Sequence, residues 1–141
     1  NGVDLVCQRL KDNGARSLIN LNVSAPFHCS LMKPASLIME EELLSINFRK
    51  PETKFVSNVT ADFEDDKDKI NRLLVEQIYS KVRWRESILK ASSMKAKKIV
   101  EVGSGKVLSG INKRIGVDLE IQNISTMEDI DLFLSINKGD L

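Results

Sequence analysis

A chain of 141 residues with 42% hydrophobic side chains is long enough for one domain with a buried core. Charged residues amount to 29% and the formal net charge is +1, which leaves no electrostatic case for nucleic acid or a membrane surface. No apolar run reaches membrane-spanning length. Cys7, Cys29 and the single histidine, His28, show no metal-ligand spacing, so two reduced thiols in a cytoplasmic protein are expected, with no metal or other cofactor. Nothing at the start reads as a signal peptide, and a first residue Asn1 rather than Met is what a fragment would show.

Residues 3–13 place Val3, Val6, Cys7 and Leu10 on one helix face, and Asn13-Gly14 is a C-cap signal. Residues 17–23 alternate in the manner of a strand. A helix and one strand cannot bury their own apolar faces, so the pair is expected to belong to a larger sheet. The stretch 22–34, NVSAPFHCSLMKP, follows. Pro26 restricts the residue before it to extended conformations and Pro34 suits a first helical turn, so His28 is expected on a loop between two stiff points.

A helix over residues 34–46 is expected to bury Ala35, Met39, Leu43 and Ile46, with Glu40, Glu41 and Glu42 as a solvated face. Residues 54–60 read as a strand and 62–68 as a polar turn. Over residues 67–79 the spacing predicts a helix with Ile70, Leu73, Leu74 and Ile78 inside, and Gln77 on that same face. A buried amide needs partners, so Gln77 is either a structural hydrogen-bonder or part of a site. Val82 and Trp84 read as core anchors, with Trp84 opening a short helix, and residues 98–102 as a buried strand. The turn Gly103-Ser104-Gly105 and a helix over 106–114 look superficially like a phosphate loop. The glycine spacing is too short, however, and no hydroxyl residue follows the lysine. A strand at 117–121 and a capping box, Ser125-Thr126-Met127-Glu128, lead to a last helix with Met127, Ile130 and Leu134 on its inner face.

Imidazole titrates near neutrality, so His28 can take a proton and return it within one turnover; the alternative is a structural histidine satisfied by hydrogen bonds. Three segments bear on that choice. VSAPFHCSLMKPA (23–35), VEQIYSKVRW (75–84) and VEVGSGKVLSGINKR (100–114) together resemble, in the same order, segments of the malonyl-CoA:acyl carrier protein transacylase family. The resemblance covers nearly the whole chain. It implies an α/β fold, the C-terminal part of an α/β-hydrolase-like acyltransferase core. Residues 1–23 would be the tail of a small ferredoxin-like subdomain, and 24–141 part of the large subdomain.

The resemblance also implies a reaction. A serine in a GxSxG elbow attacks the malonyl thioester of malonyl-CoA with a histidine as base, and the phosphopantetheine thiol of acyl carrier protein then takes the malonyl group. His28 matches the histidine. Gln77 matches the residue whose main-chain carbonyl holds the other ring nitrogen in place of an aspartate, and Phe27 is the residue type of malonyl-selective members. Asn58 matches a family asparagine to which no role is assigned. The chain departs from the pattern in having no GxSxG, no matching arginine for the malonyl carboxylate and no N-terminal glutamine segment for the oxyanion hole. Ser24, Ser30 and Ser104 lie in no elbow pattern, and His28-Cys29 is no ready dyad, since adjacent extended side chains diverge. The expectation is a chain inactive alone that supplies the base to a site completed by a missing N-terminal portion. The alternative is a non-catalytic remnant acting as a binding module. A weaker third reading is an acyltransferase domain of a polyketide synthase. Removing the sheet's other strands is expected to leave an exposed edge, and with it poor solubility or pairing with a partner.

Overall fold

The computed structural model describes residues 2–20 and 23–136. Its elements are α1 (Gly2–Asp12), α2 (Lys33–Leu44, entered through a 3₁₀ turn at Ser30–Met32), β1 (Phe55–Val56), β2 (Phe63–Glu64), α3 (Lys67–Gln77), α4 (Trp84–Ser93), β3 (Lys98–Val102), α5 (Val107–Ile115), β4 (Glu120–Ile124) and α6 (Met127–Ile136). The α/β class read from the sequence holds.

The most regular unit is β3–α5–β4. Its strands are parallel, with Lys98 opposite Glu120 and Val102 opposite Ile124, and α5 makes the crossover that a parallel pair requires. Gly103 (φ 133°) and Gly105 (φ 89°) let the chain leave β3 sharply for α5. The carboxylate of Glu101 accepts the backbone N–H groups of Leu108 (3.1 Å) and Ser109 (2.7 Å) and the Ser109 hydroxyl (2.5 Å). Those N–H groups are what a phosphate would need at a helix start, so the resemblance to a phosphate loop fails in space as well as in sequence.

Upstream, α2 packs on α3, and the small β1–β2 hairpin pairs Phe55 with Glu64 and Val56 with Phe63. The N-cap of α3 is Asp66, which accepts from the Lys69 N–H at 2.6 Å. Buried apolar side chains are Leu43, Ile70, Leu73, Ile88 and Ile124.

Several boundaries differ from the sequence reading. Residues 17–20 and 23 lie in no strand; 21 and 22 fall outside the described residues. A strand exists only by pairing, and none of the described strands pairs with this segment. The strand expected at 54–60 is only Phe55–Val56. Ser57 Oγ accepts the Val59 N–H and Thr60 Oγ1 the Asp62 N–H, so local side-chain bonds turn the chain early and β2 falls inside the expected polar turn. The last strand lies three residues later than expected, at Glu120–Ile124. The capping box is Thr126 with Asp129, one residue on from the expected Ser125 and Glu128. Thr126 Oγ1 accepts the Asp129 N–H, and the Asp129 carboxylate accepts the Ser125 and Thr126 N–H groups. Met127, Ile130 and Leu134 are exposed rather than inward, as are Met39 of α2, Ile46 just beyond its end and Leu74 of α3.

These exposed faces are part of a general excess of surface. The chain exposes 11068 Å², against roughly 7,300 Å² for a compact monomer of its mass. Neither α1 nor α6 has a buried residue. Among the described residues, no helix is long and apolar enough to cross a membrane.

Candidate active site

The loop before α2 is held by its own short bonds. Phe27 N–H donates to the Ala25 carbonyl at 2.9 Å and the Cys29 thiol to the Pro26 carbonyl at 3.1 Å. Between them His28 has φ 60°, in the left-handed region that non-glycine residues seldom adopt. A conformation of that kind persists where its surroundings enforce it, and such positions cluster at functional sites.

What holds the ring is the end of α3. His28 Nδ1 lies 2.9 Å from the main-chain carbonyl oxygen of Gln77. That oxygen is free because α3 stops there. The next N–H groups turn back to earlier carbonyls, Ile78 to Val75 and Tyr79 and Ser80 to Glu76, the tightened ending common at helix C-termini. A carbonyl can only accept, so Nδ1 carries the hydrogen and Nε2 of the neutral ring keeps a lone pair. Gln77 Nε2 is 3.3 Å from the same Nδ1, where it finds no acceptor once that nitrogen is protonated. Among the described residues Nε2 of His28 has no hydrogen-bond partner. The arrangement can therefore accept a proton at Nε2 while the carbonyl steadies the opposite side of the ring.

His28 is exposed, Gln77 half-buried, and Phe27 is 56% exposed beside the histidine. Cys29 is turned to the Pro26 carbonyl rather than to the imidazole, and no serine bonds to His28 among the described residues. No group of three or more His, Cys, Asp or Glu side chains there can hold a metal.

Asn58 lies apart from the ring. Its carbonyl accepts the Arg83 N–H at 3.0 Å, and its Oδ1 is 3.3 Å from Ser87 Oγ. Trp84, expected as a core anchor, donates Nε1–H to Oδ1 of the buried Asn112 at 2.8 Å. The sequence reading missed the parts played by Arg83, Glu101 and Asn112. Each acts through a partner distant in the chain or through a main-chain atom, for which local spacing carries no signal.

No family model matches the chain. Among curated proteins it is 39% identical over 137 residues to the malonyl CoA-acyl carrier protein transacylase of Bacillus subtilis (strain 168), covering 97% of this chain and 43% of that protein. Among solved structures it superposes on the acyl-carrier-protein-S-malonyltransferase of Bartonella henselae with TM-score 0.83 and 37% identity, covering 95% of this chain and 43% of that one. It also superposes on a malonyl-transacylase solved in complex with a type II PKS acyl-carrier protein, with TM-score 0.84 and 32% identity, covering 96% and 44%. The chain thus spans less than half the length of the relatives it matches.

Proposed function

We propose, from this chain's kinship with part of the malonyl CoA-acyl carrier protein transacylases, that it supplies the general-base histidine for malonyl transfer from malonyl-CoA to the phosphopantetheine thiol of acyl carrier protein. The observation that carries the reading is the 2.9 Å contact between His28 Nδ1 and the Gln77 carbonyl. It leaves Nε2 as the basic nitrogen.

In this account the nucleophilic serine comes from the portion of the fold that the relatives have and these residues lack. His28 Nε2 takes the serine hydroxyl proton as the oxygen attacks the malonyl thioester, and returns it to the departing CoA sulfur. In the second half the carrier's thiol gives its proton to Nε2 and attacks the malonyl ester, and the proton passes to the serine oxygen as the ester breaks. The imidazolium is stabilised at each stage by the carbonyl rather than by a carboxylate. Phe27, next to the base, narrows the acyl site against branched groups.

On this reading the chain is the C-terminal portion of a cytoplasmic enzyme of fatty-acid synthesis. Residues 1–23 are the end of its small subdomain and 24–141 part of the large one. The excess surface and the exposed apolar residues of α1 and α6, such as Leu5, Val6, Leu132 and Leu134, support an incomplete body, since a partner burying them would bring the area towards that of a compact fold.

The test combines the chain with the serine-bearing portion of a relative and follows malonyl transfer to the carrier thiol. Transfer that needs both parts, and falls 10²- to 10⁴-fold in His28→Ala, is expected for a lost general base. Association of the parts without transfer would favour a binding module instead. Transfer indifferent to His28→Ala would overturn the assignment.

A further inference from the structure

The carbonyl that orients His28 sits at a helix end, where backbone frays unless something fixes the chain beyond it. The structure shows such a fixture. After α3 the 78–82 connection runs to Arg83, which is bound to the turn between β1 and β2 at two points. Its N–H donates to the Asn58 carbonyl at 3.0 Å, and its guanidinium Nη1 donates to the Thr60 carbonyl at 2.9 Å. On the other side the Arg83 carbonyl accepts the Ser87 N–H and lies 2.9 Å from the Ser87 hydroxyl. That hydroxyl shares its one hydrogen with Asn58 Oδ1 at 3.3 Å. Ser87 is 5% exposed, while Asn58, Thr60 and Arg83 are half-buried. The ion pair of Arg83 with Glu86, 3.5 Å and on half-open surface, contributes little by comparison.

From this we infer that Arg83 is a positioning residue for His28. By clamping the far end of the 78–82 connection to the β1–β2 turn, it holds the Gln77 carbonyl in line with Nδ1 and so fixes the tautomer with a free Nε2. Its catalytic meaning rests on the transacylase reading, but its physical content does not. The tautomer of His28 is a property of this chain with or without turnover.

His28 is the only histidine, so ¹⁵N-histidine labelling gives one pair of ring-nitrogen signals. An unlabelled complementary portion of a relative adds none. The expected wild-type result is protonation at Nδ1. Arg83→Met, which removes the Thr60 contact and keeps the stem, is expected to shift the tautomer ratio towards Nε2–H by about fivefold, the worth of one net hydrogen bond. Arg83→Lys is expected to restore part of it. Ser87→Ala is a smaller lesion of the same clamp and is expected to shift the ratio the same way by less. Arg85→Met, an exposed neighbour outside the clamp, should leave it unchanged.

Trp84 fluorescence reports whether each variant keeps its fold, and where Arg83→Met does not, Ser87→Ala decides. An unaltered ratio in every folded clamp variant, or an equal shift in Arg85→Met, overturns the positioning role and leaves the transacylase reading standing. A wild-type ring protonated mainly at Nε2 overturns the base geometry itself.

Discussion

Gln77 contributes to the ring contact through its main chain, and that decides what its substitution should do. Gln77→Ala keeps the carbonyl, so in the reconstituted transferase it is expected to change kcat by no more than a few-fold, while His28→Ala removes most of the rate. Parallel steady-state assays of the two variants check this. Glu101 offers a second residue-scale outcome. The Ser109 hydroxyl, with the Ser109 and Leu108 N–H groups, holds its carboxyl below the ordinary glutamate value of 4.5. A folded-state value below the unfolded one contributes stability that is fully present above about pH 4.5 and lost as pH falls through the folded value. Urea midpoints of wild type and Glu101→Gln should therefore differ at neutral pH and converge in acid.

At the scale of elements, α3 carries the orienting carbonyl and is anchored from both ends. Asp66→Ala removes its N-cap bond and is expected to cost about 1 kcal/mol, with Asp66→Asn nearly neutral. Leu73, 7% exposed on the buried face of the same helix, is expected to cost about 2–3 kcal/mol as Leu73→Ala, near the low end for core truncations because the core here is small. Chemical denaturation of the three variants measures both. This helix was legible in the sequence because its apolar residues recur at helical spacing. Strand β3 and helix α5 were legible from an apolar run followed by glycines and a helical pattern, whereas β4 lies three residues later than its pattern suggested. Residues 17–20 and 23 were misread as strand because alternation reports a face and says nothing of a partner. The hairpin was misplaced because Ser57 and Thr60 turn the chain with their own hydroxyls. His28 stood out as the only histidine between two prolines, but its left-handed backbone went unread, and the carbonyl beneath it could be approached only through family resemblance. A hydrogen bond to a main-chain oxygen 49 residues away leaves no trace in spacing. The Arg83 clamp left none either.

For the whole molecule, surface area is the guiding quantity. An accessible area roughly half as large again as that of a compact monomer, together with relatives more than twice as long, fits the proposal that these residues pack against a complementary portion. Binding of the complementary portion is expected to raise the unfolding midpoint in proportion to RT ln(1 + [L]/Kd) and to quench binding of a hydrophobic dye, since it covers the exposed faces of α1 and α6. A thermal melt at increasing concentrations of that portion reads this directly. A midpoint that does not move would mean that those faces meet something else.

The most direct test asks what polypeptide in the source cell carries His28 and whether it takes up the substrate. Cell extract is incubated with malonyl-CoA, and intact-mass analysis is combined with identification of the peptide containing His28. This peptide is expected in a species that gains one malonyl group, or in a stable complex with a chain that does. His28→Ala should slow that gain 10²-fold or more. A His28-bearing species that never acquires malonyl, and never accompanies one that does, would contradict it.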